Sequence, residues 1–406
     1  MNRRSMKLSR LARSVALSVA LTLVLSACQP TGSRVVRVYV SFPLRGPNIG
    51  GGIVKGIQLA FDSLKPIGDT EIVLDVRDDG DVNGQWQPDL ELDNVQKAIS
   101  DTLAVAYLGP MNSGAAKISL PLTNRAGMIQ ISPSTTWPGL TKPGFAQGEP
   151  AIFYPTGRRN FFRSCSTDDV QGPAAAVWAH DLKFRSFYVL DDGEAYGVGV
   201  ASLFSQRAEQ LGLTNSGHQT IDKTAKDFEA VLAKVKQAKP DVVYFGGTVA
   251  NGAALIVEQM RALGITSAFM GPDAIVDTSL IDEAGPAAEG VYATFVGAPP
   301  AQLTSDMGRK FYADFKTKYN EEPEAFAQLG YDAAQVLITA MQASMHQSGV
   351  IDRAGILAYV TAASGFEGTV GTFGFDRNGD TTVTLVSGSR VRNGTFEFEK
   401  LLIDRQ

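Results

Sequence analysis

From residue 35 on, short β-branched or aromatic runs alternate with longer helical patterns for more than 300 residues. No other feature constrains the fold of this chain as much. The strand-like runs are residues 35–41, 71–77, 103–108, 128–131, 186–190, 241–245, 268–270 and 290–296. Helical patterns occupy 50–64, 89–99, 114–125, 170–182, 197–211, 226–237, 252–263 and 305–319. In one of them, Phe228, Val231, Leu232 and Val235 fall at i, i+3, i+4 and i+7, the stripe of a one-sided helix. Strands that alternate with helices in this way pair in parallel, with helices covering both faces of the sheet. The expected class is therefore α/β. A segment rich in Pro and Gly, 135–160, interrupts the series and divides it into two lobes. A third run, from about residue 300, is too short for a lobe of its own and ends in strand-like stretches at 371–376 and 381–387.

The 406 residues are 44% hydrophobic, enough for sizeable cores and too apolar for disorder. Lys and Arg total 37 against 42 Asp and Glu, and no basic block interleaved with aromatics follows residue 13, which excludes a nucleic-acid surface. Before the alternating region, Arg3, Arg4, Lys7, Arg10 and Arg13 precede an apolar run, 15–25, and then Leu25-Ser26-Ala27-Cys28. That order reads as a secretory signal peptide over 1–27, and the final tetrad resembles a bacterial lipobox with Cys28 as the lipidated first mature residue. A linker over 28–34 follows, and cleavage shifts the formal net charge from −5 to −10. With Cys28 lipidated, Cys165 has no cysteine to pair with. No later segment holds eighteen consecutive apolar residues, so the expectation is a protein exported to the cell envelope and tethered to a membrane by its lipid anchor.

Catalytic patterns are missing. The three histidines, His180, His218 and His346, read as solvated residues, and no G-x-S-x-G, H-E-x-x-H, C-x-x-C or Walker A sequence occurs. Residues 50–56 miss G-x-G-x-x-G by one position. Asp79-Gly-Asp81-Val-Asn83-Gly84 begins like a calcium loop, but Leu90 stands at position 12, so an acidic surface loop is expected there. No cofactor, metal or enzymatic activity is expected.

In open α/β sheets, ligands sit beyond the carboxyl ends of the strands. After 103–108 come Met111, Asn112 and Ser113 at a helix start, where a hydroxyl and free N–H groups suit a carboxylate. After 128–131 comes a hydroxyl-rich loop with Ser134 and Thr136. After 186–190 comes Tyr196 at another helix start, after 241–245 Thr248, and after 268–270 Asp273. Each alone is also what an N-cap or turn would carry. Together they place anion donors on one lobe and a carboxylate with a tyrosine on the other. That set fits a zwitterion and contains no activated nucleophile, so it reads as a binding site.

These stretches carry a resemblance. Gly56-Ile-Gln-Leu-Ala60, Gly109-Pro-Met-Asn-Ser113-Gly114, Ile131-Ser-Pro-Ser134-Thr-Thr136-Trp-Pro-Gly-Leu-Thr141, Phe162-Arg163 with Asp168-Asp-Val-Gln-Gly172, Tyr196-Gly197 and Phe269-Met-Gly-Pro-Asp273 occur in one order. Across nearly the whole mature chain they resemble the periplasmic leucine/isoleucine/valine-binding protein family, the type I solute-binding components of ABC importers. The resemblance implies a two-lobed periplasmic binding protein type I fold, each lobe a mainly parallel sheet flanked by helices. Lobe 1 would be 35–166 plus 298–375 and lobe 2 would be 167–297 plus 376–406, joined by a hinge crossing near 165–168, 296–299 and 374–377. It further implies that Ser113 and Thr136 hold a ligand carboxylate, and that the Ser134 carbonyl, Thr136 and Asp273 hold an ammonium. Asp168 and Tyr196 would line the cleft, and the region around Ile49 and Tyr331 would take the side chain. Thr248 stands where the family often has tyrosine, and Asp273 where it usually has glutamate. The implied function is a monomer that captures a free amino acid, branched-chain in type, and delivers it to a membrane ABC permease. The alternatives are a ligand sensor with the same clamp, or a binder of amides, urea or aromatic carboxylates.

Overall fold

The computed structural model describes residues 34–46, 49–62 and 64–402; the leader and Cys28 lie outside them. The first sheet consists of β1 (Arg34–Phe42), β2 (Thr70–Asp78), β3 (Ala104–Leu108), β4 (Ile129–Ser132) and β5 (Phe161–Arg163). Its order is β2-β1-β3-β4-β5, with every pairing parallel. The central strand β3 is Ala-Val-Ala-Tyr-Leu, buried at all five positions, as a strand covered on both faces must be. Its covering helices are α1 (Gly50–Asp62), α2 (Pro88–Ser100) and α3 (Ser113–Arg125).

The second sheet contains β6 (Ser186–Asp191), β7 (Thr214–Thr220), β8 (Val242–Gly246), β9 (Ala268–Gly271) and β10 (Tyr292–Phe295). Helices α4 (Asp168–Asp181), α5 (Ala195–Gln210), α6 (Glu229–Ala238), α7 (Ala253–Ala262) and α8 (Thr278–Ala284) belong to this part of the chain. The late segment adds α9 (Asp306–Tyr319), α10 (Ala327–Ser348), α11 (Arg353–Ala362) and a small hairpin, β11 (Phe366–Gly368) with β12 (Gly371–Phe373). Strands β13 (Val386–Arg392) and β14 (Thr395–Leu402) then complete the second sheet in the order β14-β13-β10-β9-β8-β6-β7, with β13 antiparallel to both of its neighbours. The molecule is thus two α/β lobes with mainly parallel sheets, as the alternation requires.

Helix α10, which the sequence pattern did not single out, is the pillar of the first lobe. Its buried residues include Leu329, Ala333, Val336, Leu337, Ala340 and Met341, packed in one core with Val38, Val40, Ile53, Ile57, Ile129 and Ile131. It lies so close to α1 that a Cβ on Gly56 would sit 1.9 Å from the Ala327 carbonyl oxygen. Only glycine permits that approach.

The chain leaves the first sheet after β5 and returns to the first lobe after β10. The third crossing comes later than the 374–377 expected. Phe375 pairs with Thr381, and Asp380 bridges in parallel to Arg163 at the edge of β5, so this turn stays with the first sheet. Buried Arg163 donates from Nε to Asp380 Oδ1 at 2.7 Å and from Nη1 to the carbonyls of Thr135 and Trp137. Residues 382–385 then lead into β13. Ser166 Oγ donates to the Leu385 carbonyl at 3.0 Å, tying two of the three crossings together.

Candidate ligand-binding cleft

The carboxyl ends of both sheets open toward one cleft between the lobes. On the first lobe, Ser113 is the first residue of α3, and its Oγ accepts from Trp137 N at 3.1 Å, leaving the hydroxyl proton free to point elsewhere. After β4, Ser132 Oγ donates to the Pro110 carbonyl at 2.8 Å and accepts from Ser134 N and Thr135 N, which pins the hydroxyl loop. Ser134 Oγ donates to the Met111 carbonyl at 3.3 Å. The hydroxyls of Thr135 and Thr136 are buried and have no hydrogen-bond partner. Buried hydroxyls are nearly always paired, so two orphans beside one cleft are unusual.

The second lobe supplies acids. Asp168, the first residue of α4, donates its backbone N–H to the Thr136 carbonyl at 3.0 Å, while neither carboxylate oxygen has a partner. Tyr196, in the first turn of α5, donates from Oη to Asp273 Oδ1 at 2.6 Å and accepts from Ala274 N at 3.3 Å. Thr248, just past β8, accepts from Asn251 N at 3.2 Å.

Burial pushes the Asp273 carboxyl up to about 6 against the opposing hydrogen bond from Tyr196. Asp168 is pushed well above the usual carboxylate range, first by burial and then by the charge of Asp273. No basic side chain lines the cavity, and the cation that acts on Asp168, Arg163, is already paired with Asp380. An isolated buried carboxylate is costly.

Ser113, Ser134, Tyr196, Thr248 and Asp273 line one cavity, joined there by Ile49, Met111, Asn112, Ala274 and Phe326. Thr136 and Asp168 meet each other beside it through their backbone bond. Ile49 is in the lining; Tyr331 is not, and its ring packs on Phe311 with centroids 5.2 Å apart. The aromatic wall is Phe326 instead. It precedes α10 with φ 69, a left-handed conformation uncommon for a bulky residue, and packs edge-on against Phe295. Nothing in the sequence pattern pointed to it.

The lobes touch across this cleft. Gln85 Nε2, from the loop after β2, donates to the carbonyls of Lys223 at 3.2 Å and Ala250 at 3.1 Å. The Trp137 indole from the first lobe rests on Gly199 of α5, where a Cβ would lie 2.4 Å from the ring. The form described is therefore a closed clamp, with donors on one jaw and acids on the other. Asp79 departs from the expected surface loop: its side chain is buried, turned toward Glu91 of α2.

The chain is similar to the Leu/Ile/Val-binding protein homolog 1 of Brucella suis, with 29% identity over 354 residues, 85% of this chain and 87% of that protein. It is 28% identical over 275 residues to the leucine-, isoleucine-, valine-, threonine- and alanine-binding protein of Pseudomonas aeruginosa, covering 67% of this chain and 68% of that one. Among solved structures, a leucine-binding protein from Thermotoga maritima superposes with a TM-score of 0.79 at 26% identity, over 91% of this chain and 99% of the other. A Rhodopseudomonas palustris solute-binding protein in complex with benzoate superposes with a TM-score of 0.76 at 21% identity, over 91% and 96%, and shares the fold. The model of the family described as periplasmic binding protein matches residues 36–395, and the chain belongs to that family of non-enzymatic solute-binding proteins.

Proposed function

We propose that this protein is the extracytoplasmic solute-binding component of an ABC importer, that it captures a free amino acid between its lobes, and that it is held to a membrane by lipid on Cys28. The observation that carries the ligand class is the buried acid pair Asp168 and Asp273, unaccompanied by any cation in the cavity, facing hydroxyl and N–H donors of the first lobe. An α-ammonium between the acids and an α-carboxylate at the start of α3, near Ser113 and Thr136, would complete both halves. The relatives' names make branched-chain amino acids the first class to test. An aromatic carboxylate, as in the benzoate-bound neighbour, would satisfy the donors and leave both acids unpaired.

The ligand acts on the hinge. A molecule that touches both jaws binds the closed form better than the open one and shifts the population toward closure by that difference alone. The closed clamp is then the form offered to a membrane permease, and the lipid raises its local concentration there.

A thermal-shift panel of free amino acids, amides, urea and aromatic acids tests the ligand class. A ligand at a hundred times its Kd stabilises the fold by about 2.7 kcal/mol, a plain shift. Selective stabilisation by amino acids is expected; stabilisation by aromatic acids alone would refute the amino-acid reading. Cys28→Ser should move the protein from the membrane to the soluble fraction, and unchanged membrane retention would refute the lipid anchor.

A further inference from the structure

One contact between the lobes lies outside the set of binding residues. Trp137 ends the hydroxyl loop and is anchored by its own backbone: its N–H donates to Ser113 Oγ at 3.1 Å and its carbonyl accepts from Arg163 Nη1 at 2.9 Å. The indole is held as well. Its Nε1–H donates to Glu149 Oε2 at 2.8 Å, and the other oxygen of that buried carboxylate pairs with Lys117 Nζ at 2.8 Å. Lys117 lies over the ring, 5.0 Å from its centroid, and Phe145 meets it edge-on at 5.8 Å. A Cβ on Gly139 would stand 2.4 Å from the indole nitrogen, so only glycine lets the chain fold back this tightly behind the ring. All of these partners belong to the first lobe.

What the ring meets belongs to the second. A Cβ on Gly199 of α5 would lie 2.4 Å from one ring carbon and 2.5 Å from the next, and the three atoms nearest to it are all from Trp137. Bare helix backbone thus receives an indole that the first lobe holds in one orientation. The contact exists only while the lobes are together, and neither Trp137 nor Gly199 stands in the wall of the ligand cavity. What it adds to closure is therefore independent of the solute in the cleft.

We propose that Trp137 is a positioning residue, which holds the clamp shut by docking on Gly199 and so sets how long a solute stays without touching it. This rests on the two-lobed clamp of the proposed function and not on which solute the clamp takes.

Solution X-ray scattering and stopped-flow release of leucine, read on the same proteins, test it. Gly199→Leu puts a side chain where the indole docks. It should raise the radius of gyration of the ligand-free protein above that of the wild type and speed leucine release roughly tenfold, with the association rate nearly unchanged. A fall in the ligand-free melting temperature in place of these shifts would mark packing within the second lobe and overturn the inference. Trp137→Ala removes the docking group and should open the clamp and speed release in the same direction. It carries the test by itself if Gly199→Leu fails to fold, and a Trp137→Ala protein as closed as the wild type overturns the inference. In the Trp137→Ala background Gly199→Leu should add little, because its side chain enters the space the ring has left. An unchanged radius and release rate in Gly199→Leu, or effects of the two substitutions that add in full, overturns the inference. Scattering needs no ligand, so it decides even if leucine does not bind; failure of leucine to bind counts against the amino-acid reading alone.

Discussion

Each lobe buries a pair of acids near the carboxyl ends of its parallel strands, and only one pair faces the cleft. In the first lobe, Asp79 follows β2 and is turned toward Glu91 of α2. Glu91 accepts from Ser41 Oγ at 2.8 Å and from Tyr107 Oη at 3.1 Å. Burial, and then the charge of Asp78, push Asp79 up to about 7, while burial and Asp79 raise Glu91 well above its usual range. Asp79 has no hydrogen-bond partner on either oxygen, but it and Glu91 are fully buried away from the cleft, where no ligand can reach them. In the cleft, Asp168 likewise has no partner on either oxygen, but Asp273, held by Tyr196 and Gln171, stands in the wall of the cavity. Burial of acids is common to both pairs, so burial alone does not mark a binding site. A cavity wall combined with an unmet need for a cation does.

The largest effect that would break this contrast is on affinity. Asp273→Ala should weaken amino-acid binding by about 2–4 kcal/mol, because an ammonium is left with one acid instead of two, while the ligand-free melting temperature does not fall. Calorimetry and a melting curve on the same sample read both. Glu91→Ala should do the reverse, costing about 2–3 kcal/mol of stability by stranding Ser41, Tyr107 and Asp79, with Kd unchanged at a temperature where the protein is folded. An affinity loss in Glu91→Ala matching that in Asp273→Ala would erase the distinction.

Acidity separates the pairs further. Asp273 must be ionised to hold an ammonium, so affinity should fall roughly tenfold for each pH unit below about 6. Without ligand the sign is opposite for stability. Folded Asp273 titrates near 6 and its ordinary value is 3.8, so between these values the folded chain holds more protons than the unfolded one. Its contribution is fullest below 3.8 and is lost as pH rises through about 6. A melting temperature of the ligand-free protein measured across that window, compared with Asp273→Asn, isolates this contribution. The smallest effect is on closure: Gln85→Ala removes two bonds between the jaws and should weaken binding by about 1 kcal/mol, roughly fivefold, seen as faster ligand release.

Much of this arrangement was legible in the residues. The buried parallel strands announce themselves because both faces are apolar, as in β3 and β8. Six of the seven site positions follow from reading what comes after each strand and the seventh, Asp168, from the family resemblance; five of the seven share a single cavity. Strand β7, Thr-Asn-Ser-Gly-His-Gln-Thr, escaped because it is a largely exposed edge with no apolar face to alternate. Helix α10 escaped for the opposite reason: it is buried on so many sides that no single stripe stands out. The third crossing was misplaced because the turn 376–380 is held by Arg163, a partner 217 residues away from Asp380. Phe326 and Trp86 reach the cleft through backbone turns and lobe closure, for which no local pattern exists.

The most direct test of the account is a calorimetric titration with leucine and with 4-methylpentanoate, which is leucine without its amino group. The account predicts binding of leucine and a loss of roughly a hundredfold or more for the acid, since Asp168 and Asp273 would then be buried without a cation. Equal affinity for the two would contradict it, because the ammonium would contribute nothing and the acid pair in the cleft would be as structural as Asp79 and Glu91.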